Sequence, residues 1–208
     1  MAIAALSNFT VPLASDQSAG SQGMLMPKLS YRFRVNFENF GVSGSTTEMT
    51  KQIEDAARPT VEHEDQVIDI YNSKIHFAGK VKWGTIAITM RDDVTGQVSK
   101  LCGEQMQRQF DYFEQSSAAS AGDYKFTLRI EMLDGGNGTS TPTVLETWEV
   151  YGCYVQKIEY GTLAYKTNDP VKIKLTVTYD NAVQTVGGAL GSPTNKTKHP
   201  GGTNALGA

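Results

Sequence analysis

Two cysteines, three histidines and no long apolar run leave this 208-residue chain with little of what most site chemistry requires. Cys102 and Cys153 stand alone, without CxxC spacing, and read as small buried hydrophobes. A disulfide between them would need Cα atoms within about 7 Å. Of the histidines, His199 lies near the C-terminus and His63 sits among Glu62, Glu64 and Asp65. Strand alternation sends His63 and Asp65 to one face and Glu62 and Glu64 to the other, so no metal site is expected. GxSxG, HExxH, P-loop and GxGxxG patterns are all missing, which argues against an enzyme and implies no cofactor. Nineteen basic residues against 22 acidic ones give a net charge of −3 and exclude strong nucleic-acid binding through a basic face. No apolar run approaches the roughly 20 residues of a membrane span. The first residues lack the basic segment of a signal peptide, so synthesis and retention in a cytosol are expected. Hydrophobic content is 39%, lowered by polar, Gly-rich ends.

What is present centres on Trp83–Ser117. Ile86 and Ile88 alternate with Thr85, Ala87 and Thr89, a strand period. Asp92 and Asp93 follow, able to accept from the first free amides of a helix and suited in charge to its N-terminus. From Val94 the period becomes 3.6. Val94, Val98, Leu101, Cys102, Met106 and Phe113 form a stripe with Phe110 at its margin, while Lys100, Glu104, Arg108 and Asp111 fall opposite. The pattern predicts one amphipathic helix over about 93–116.

The rest reads as strands and tails. Residues 1–27 form an N-terminal arm without periodicity, normally disordered unless docked, and a neighbouring copy is its simplest dock. Leu29–Phe37 alternates cleanly. Thr46–Asp55 is a weaker strand, ending at Arg58-Pro59. Val61–Ile70 and Lys74–Lys80 predict a hairpin turning at Asn72-Ser73, whose first arm has no clean apolar face. Such a strand suits water on one side or pairing with another chain. Tyr124–Met132 alternates, followed by a turn signal at Asp134-Gly-Gly-Asn-Gly138. Val144–Glu159 is a long strand interrupted by Gly152, a candidate bulge. Val171–Tyr179 closes the set, and 182–208 is a Gly-rich C-terminal arm. Seven or eight strands and one helix imply a mainly β sandwich or small barrel over 28–181, with the helix covering one side. Tyr31, Phe33, Phe37, Trp83 and Trp148 read as core aromatics.

Three stretches together resemble the tail tube proteins of contractile-tailed, myovirus-type bacteriophages. One is Ile75-His-Phe-Ala-Gly-Lys80 followed by Trp83-x-x-Ile-x-Ile88-Thr-Met-x-Asp92. Another is the helix with its late aromatics. The third is Trp148-x-Val-x-Gly152, Ile158-x-x-Gly161-x-Leu163-x-Tyr165 and Val171-x-Ile-x-Leu-x-Val-x-Tyr179-Asp180. The resemblance spans roughly 29–181. It departs at Cys153, where many relatives have proline, and in the longer arms. It implies a structural virion protein of the tail, made in the host bacterial cytoplasm. Such subunits form hexameric rings stacked into a tube inside a contractile sheath. The implied partners are other copies of itself, the sheath, tape measure, baseplate and tail terminator proteins, and DNA in transit without specific binding. No membrane partner is implied.

Open strand edges and filament growth fit this, because a heterologous contact that does not close on itself grows an open filament. The acidic arm, Glu62, Glu64, Asp65 and Asp69, is expected to line the lumen or a ring-to-ring contact and to let DNA slide past. The helix surface Lys100, Glu104, Arg108 and Asp111 is expected to face the sheath. Two other readings remain: a secretion-system or baseplate tube-initiator protein of the same fold, and a β-sandwich carbohydrate or adhesion binding module.

Overall fold

The computed structural model describes residues 28–42, 45–135, 142–166, 168–186 and 190–191. Residues 1–27, most of 182–208 and the second half of the 134–138 turn lie outside that set, as does His199. Residues 1–31 form one unit, of which 28–31 are described and carry no helix or strand; the account below concerns the unit from Arg32 onward.

Eleven strands and two α-helices are present among the described residues. In chain order they are β1 (Phe33–Glu38), α1 (Thr47–Gln52), β2 (Ile53–Ala56), β3 (Val61–Ile70), β4 (Ser73–Trp83), β5 (Ile86–Arg91) and α2 (Gln97–Gln109). Then follow β6 (Phe110–Asp111), β7 (Ser116–Ser117), β8 (Phe126–Leu133), β9 (Val144–Glu159), β10 (Lys172–Thr178) and β11 (Asn181–Val186). The main sheet runs β1-β8-β9-β10-β5-β2, with β11 also on β9, and every pairing is antiparallel.

The 16-residue β9 joins the two halves of this sheet. Its first part pairs with β8, from Val144 opposite Leu133 to Cys153 opposite Phe126, and with β11 around Val150–Ala182. Its second part pairs with β10, from Tyr154 opposite Thr178 to Glu159 opposite Lys174. Gly152 is the bulge its sequence suggested. The register with β8 slips there, and Gly152 adopts φ +67°. A Cβ at this position would lie 2.2 Å from an Asp180 carboxylate oxygen.

Alternation on each strand fills the core. Val35 and Phe37 of β1, Ile86, Ile88 and Met90 of β5, Leu128 and Ile130 of β8, and Ile173, Leu175 and Val177 of β10 are all buried. Phe37, Phe40 and Phe126 cluster, with the Phe40 and Phe126 rings edge to face at 4.9 Å. Val98, Leu101 and Cys102 of α2 close the core on one side.

Several expectations change. The first strand begins at Phe33, and Tyr31 is exposed. The weak strand expected over 46–55 is instead a helix of one and a half turns followed by β2, with Met49 as its buried anchor. Six residues are too few for a helical period to declare itself. The main helix is shorter than 93–116. Asp92, Asp93, Val94 and Thr95 precede it, and Gly96 occupies the N-cap in the left-handed region. Val94 and Phe113 therefore lie outside the helix and are exposed. Asp93 still serves the helix start. Its carboxylate sits below the ordinary range because it accepts first from the Thr95 hydroxyl and then from the amides of Gln97, Gly96 and Thr95. Of the segment read as a C-terminal arm, residues 182–186 are part of β11.

Candidate assembly surfaces

The β3–β4 hairpin is where the chain departs furthest from a self-contained domain. Among the described residues, the ten of β3 and the eleven of β4 pair only with each other. All of β3 is exposed, and in β4 only Gly79 and Trp83 are partly covered. At the base, Trp83 packs against Tyr179 with the rings tilted and their centroids 5.6 Å apart. Gly84 N–H and the Tyr179 hydroxyl both donate to the Thr60 carbonyl, at 3.0 and 3.4 Å.

The register assigns its faces. Ile68 lies opposite Ile75, and Gln66 opposite Phe77. With Ile70 they form an apolar face near the tip, where Ile68, Ile70, Ile75 and Phe77 are 42 to 53% exposed. Thus β3 alone lacks an apolar face, as its sequence suggested, but the paired hairpin has one. The opposite face carries Val67 and two ion pairs, His76 with Asp65 at 2.8 Å and Lys74 with Asp69 at 3.3 Å. A register shift between His63 and Asp65 places Gly79 in a bulge, where a Cβ would lie 2.7 Å from the Glu64 carbonyl.

The four expected acidic residues therefore divide. Glu62 and Glu64 share one face near the base, and Asp65 and Asp69 share the other. Glu62 lies opposite Lys82. Four carboxylates stand against Lys74, Lys80 and Lys82, so the hairpin is close to neutral where its first strand alone looked strongly acidic.

The polar face of α2 is largely occupied within the chain. The Arg108 guanidinium donates to the carbonyls of Asn39 (2.9 Å), Gly41 (3.1 Å) and Asp123 (2.5 Å). The Glu104 carboxylate accepts from Val42 N–H at 2.9 Å. Asp111 accepts from Glu114 N–H, then Phe113 N–H and the Gln107 side chain, which holds its carboxyl below the ordinary range. Lys100 alone of the four is exposed.

Sequence reasoning missed two glutamines on the helix's covered side. Gln105, fully buried, accepts from Gly41 N–H at 3.0 Å and donates to the Tyr124 carbonyl at 2.6 Å. Gln109 makes the same kind of two-sided contact with Val155. Their i,i+4 spacing was the available signal, since it places both on one side of the helix.

Two further features are open. Strands β1, β2 and β11 each pair along one edge only among the described residues. The β9–β10 loop exposes Leu163 and Tyr165 and curls around an open cleft of about 760 Å³ between Gly161–Tyr165 and Asp169–Lys172. Cys102 and Cys153 are free and buried, and burial pushes both thiols up to about 12. No group of three or more His, Cys, Asp or Glu able to hold a metal occurs among the described residues. No helix among them is long and apolar enough to cross a membrane, which says nothing of spanning strands.

No family model matches the sequence, and no curated protein matches it. Solved structures do. A chain of the tube-terminating cap of the anti-feeding prophage is similar at 12% identity, covering 79% of this chain and 94% of its own, with a TM-score of 0.58. A chain of the sheath/tube terminator of the PVC extracellular contractile injection system, in the extended state, is similar at 13% identity. That match covers 79% of this chain and 100% of its own, with a TM-score of 0.55. A chain of the anti-feeding prophage baseplate matches at 16% identity over 80% of this chain and 100% of its own, with a TM-score of 0.54. The chain therefore has the mainly β fold found in components of contractile injection systems, without a link to myoviruses in particular.

Proposed function

We propose that this chain is a structural subunit of the inner tube of a contractile injection assembly. Copies close into rings, expected to be hexameric, by joining open sheet edges, and the rings stack into a tube within a sheath. The observation that carries this reading is the β3–β4 hairpin. Twenty-one strand residues without a core of their own, apolar on one face, are stable and soluble only when another surface covers them. The one-sided β1, β2 and β11 supply edges whose pairing would remove the hazard of exposed backbone. The partners that follow are further copies, a sheath subunit, the baseplate and terminator proteins at either end, and a tape measure protein. In a phage tail the cargo would be DNA in transit. The place of action is then the tail of a virion or related particle, after synthesis in a bacterial cytoplasm.

The near-neutral hairpin suits a wall past which a polyanion slides without being held. Glu62 and Glu64, and Asp65 and Asp69, are two alternative lumen-facing pairs. Reversing each pair in turn and timing DNA release separates them, and no effect from either removes the hairpin from the lumen.

A second reading of the same fold is a cap, secretion-tube or baseplate protein that forms one ring and stops. Negative-stain electron microscopy with sedimentation of the purified chain decides between them. Long hollow tubes support the tube subunit, and single rings that never extend when a baseplate-like nucleus is supplied support the cap or initiator. A monomer at all concentrations overturns both and favours a binding module.

A further inference from the structure

Two exposed features without a partner among the described residues lie at opposite ends of one strand pair. β5 and β10 are antiparallel, with Val177 opposite Ile86 at one end and Lys172 opposite Arg91 at the other. The hairpin leaves from the Ile86 end, where Trp83 is held on Tyr179. The β9–β10 loop, with Leu163 and Tyr165 exposed around its cleft, lies at the Lys172 end, where Asp92 N–H donates to the Val171 carbonyl. Six paired positions separate the two by roughly 20 Å.

The hairpin tip carries a second, independent sign. Ile70 pairs with Ser73, so Tyr71 and Asn72 make a two-residue turn. Tyr71 holds φ +43° and is fully exposed. When φ is positive at the first central position of such a turn, glycine is the favoured residue, and a bulky side chain there is strained. A strained, wholly solvated aromatic contributes nothing to its own fold, and strain of this kind collects at contact sites.

We propose that Tyr71 and the adjoining apolar hairpin face of one copy seat in the β9–β10 loop cleft of a second copy, against Leu163 and Tyr165. This rests on the tube-subunit reading and names its stacking contact. A knob at one end of the sheet and a cleft at the other make a head-to-tail contact that never closes, so layers add without limit. The cleft is of a size that takes an aromatic side chain, and Asp169 on its rim can accept from the Tyr71 hydroxyl. The Asp69–Lys74 pair on the opposite hairpin face stays in water.

The test uses full-length Tyr71→Gly and Leu163→Asp, both at exposed positions. Tyr71→Gly relieves the turn, so its thermal midpoint should equal or exceed that of the native chain. Stacking, read by sedimentation and microscopy, should demand about tenfold or more protein. Leu163→Asp should likewise leave unstacked particles. Mixed together, the two variants should pair in two layers and stop, because one retains the cleft and the other the knob. If either variant stacks like the native chain, or the mixture stays apart, the contact is wrong. Native tubes that both variants also build overturn this contact alone, whereas native rings that close but never stack overturn the tube-subunit reading with it. A native chain that stays monomeric even with a nucleus supplied overturns the tube reading with it.

Discussion

Gln109 stands in for a missing strand residue opposite Val155. β8 begins at Phe126, opposite Cys153, so two residues further along β9 no strand of the described residues faces that edge. There the Gln109 carboxamide accepts from Val155 N–H and donates to Val155 C=O, both at 2.9 Å. The end of helix α2 is thereby joined to the sheet as an extra rung of its ladder.

Gln109→Leu keeps the volume and removes both partners. Val155 is 2% exposed, so water cannot replace them. A loss of about 2–4 kcal/mol is expected, one to two kcal/mol per orphaned group. Urea unfolding checks it, and a midpoint within error of the native chain would show that the ladder extension adds nothing.

Gly152→Ala meets two obstacles, a positive φ and the Asp180 carboxylate at 2.2 Å from the new Cβ. Asp180 is held by Lys125 at 2.5 Å, so it does not move freely. A destabilisation of about 2 kcal/mol or more is expected. In an Asp180→Ala background part of this should disappear, because the clash goes and only the φ penalty remains. Thermal denaturation of the four proteins reads the coupling.

Arg108 and Lys100 should respond very differently to charge reversal. Arg108 donates to three carbonyls and its loss frees the 39–42 loop, so Arg108→Glu should cost about 1.5–3 kcal/mol before any partner is considered. Lys100→Glu should alter stability by no more than about 0.5 kcal/mol. Only Lys100→Glu therefore tests a sheath contact cleanly. Intact tubes that recruit no sheath would support that role, and normal sheath assembly would end it.

Cys102 and Cys153 should be silent to thiol reagents at pH 8 and react on unfolding. Burial raises both to about 12 from an ordinary 9.0. The folded chain keeps these protons where an unfolded one has lost them. Their contribution to stability is fully present below pH 9 and is lost as pH rises towards 12. Native chains labelled as fast as denatured ones would contradict the burial.

Much of this fold is legible in the residues. Val144–Glu159 has the expected bounds, with its bulge at the one glycine that interrupts it. The β5-to-α2 change of period is equally clear, and the hairpin falls within a few residues of its expected limits. What failed was local. Helix α1 buries one side chain, Met49, and a single anchor has no period. β11 was hidden because Asn181, Gln184 and Thr185 resemble the polar tail that follows. At the assembly surfaces, composition located the hairpin but not its character. Charge read along β3 ignores the lysines that β4 brings across, and an apolar face built from Ile68, Ile70, Ile75 and Phe77 exists only once two strands are in register. The polar stripe of α2 looked free to meet a sheath because sequence cannot show that a loop from residues 39–42 folds back over it.

The continuity of β9 has a mechanical consequence. One unbroken backbone belongs to both halves of the sheet and is bonded to β8, β11 and β10 along its length. A pull applied along that strand loads many hydrogen bonds in parallel shear, whereas a pull across it would peel them one at a time. The subunit is thus stiff in one direction and yielding in the other. A particle that thrusts when its outer layer shortens would profit from aligning the stiff direction with the stroke.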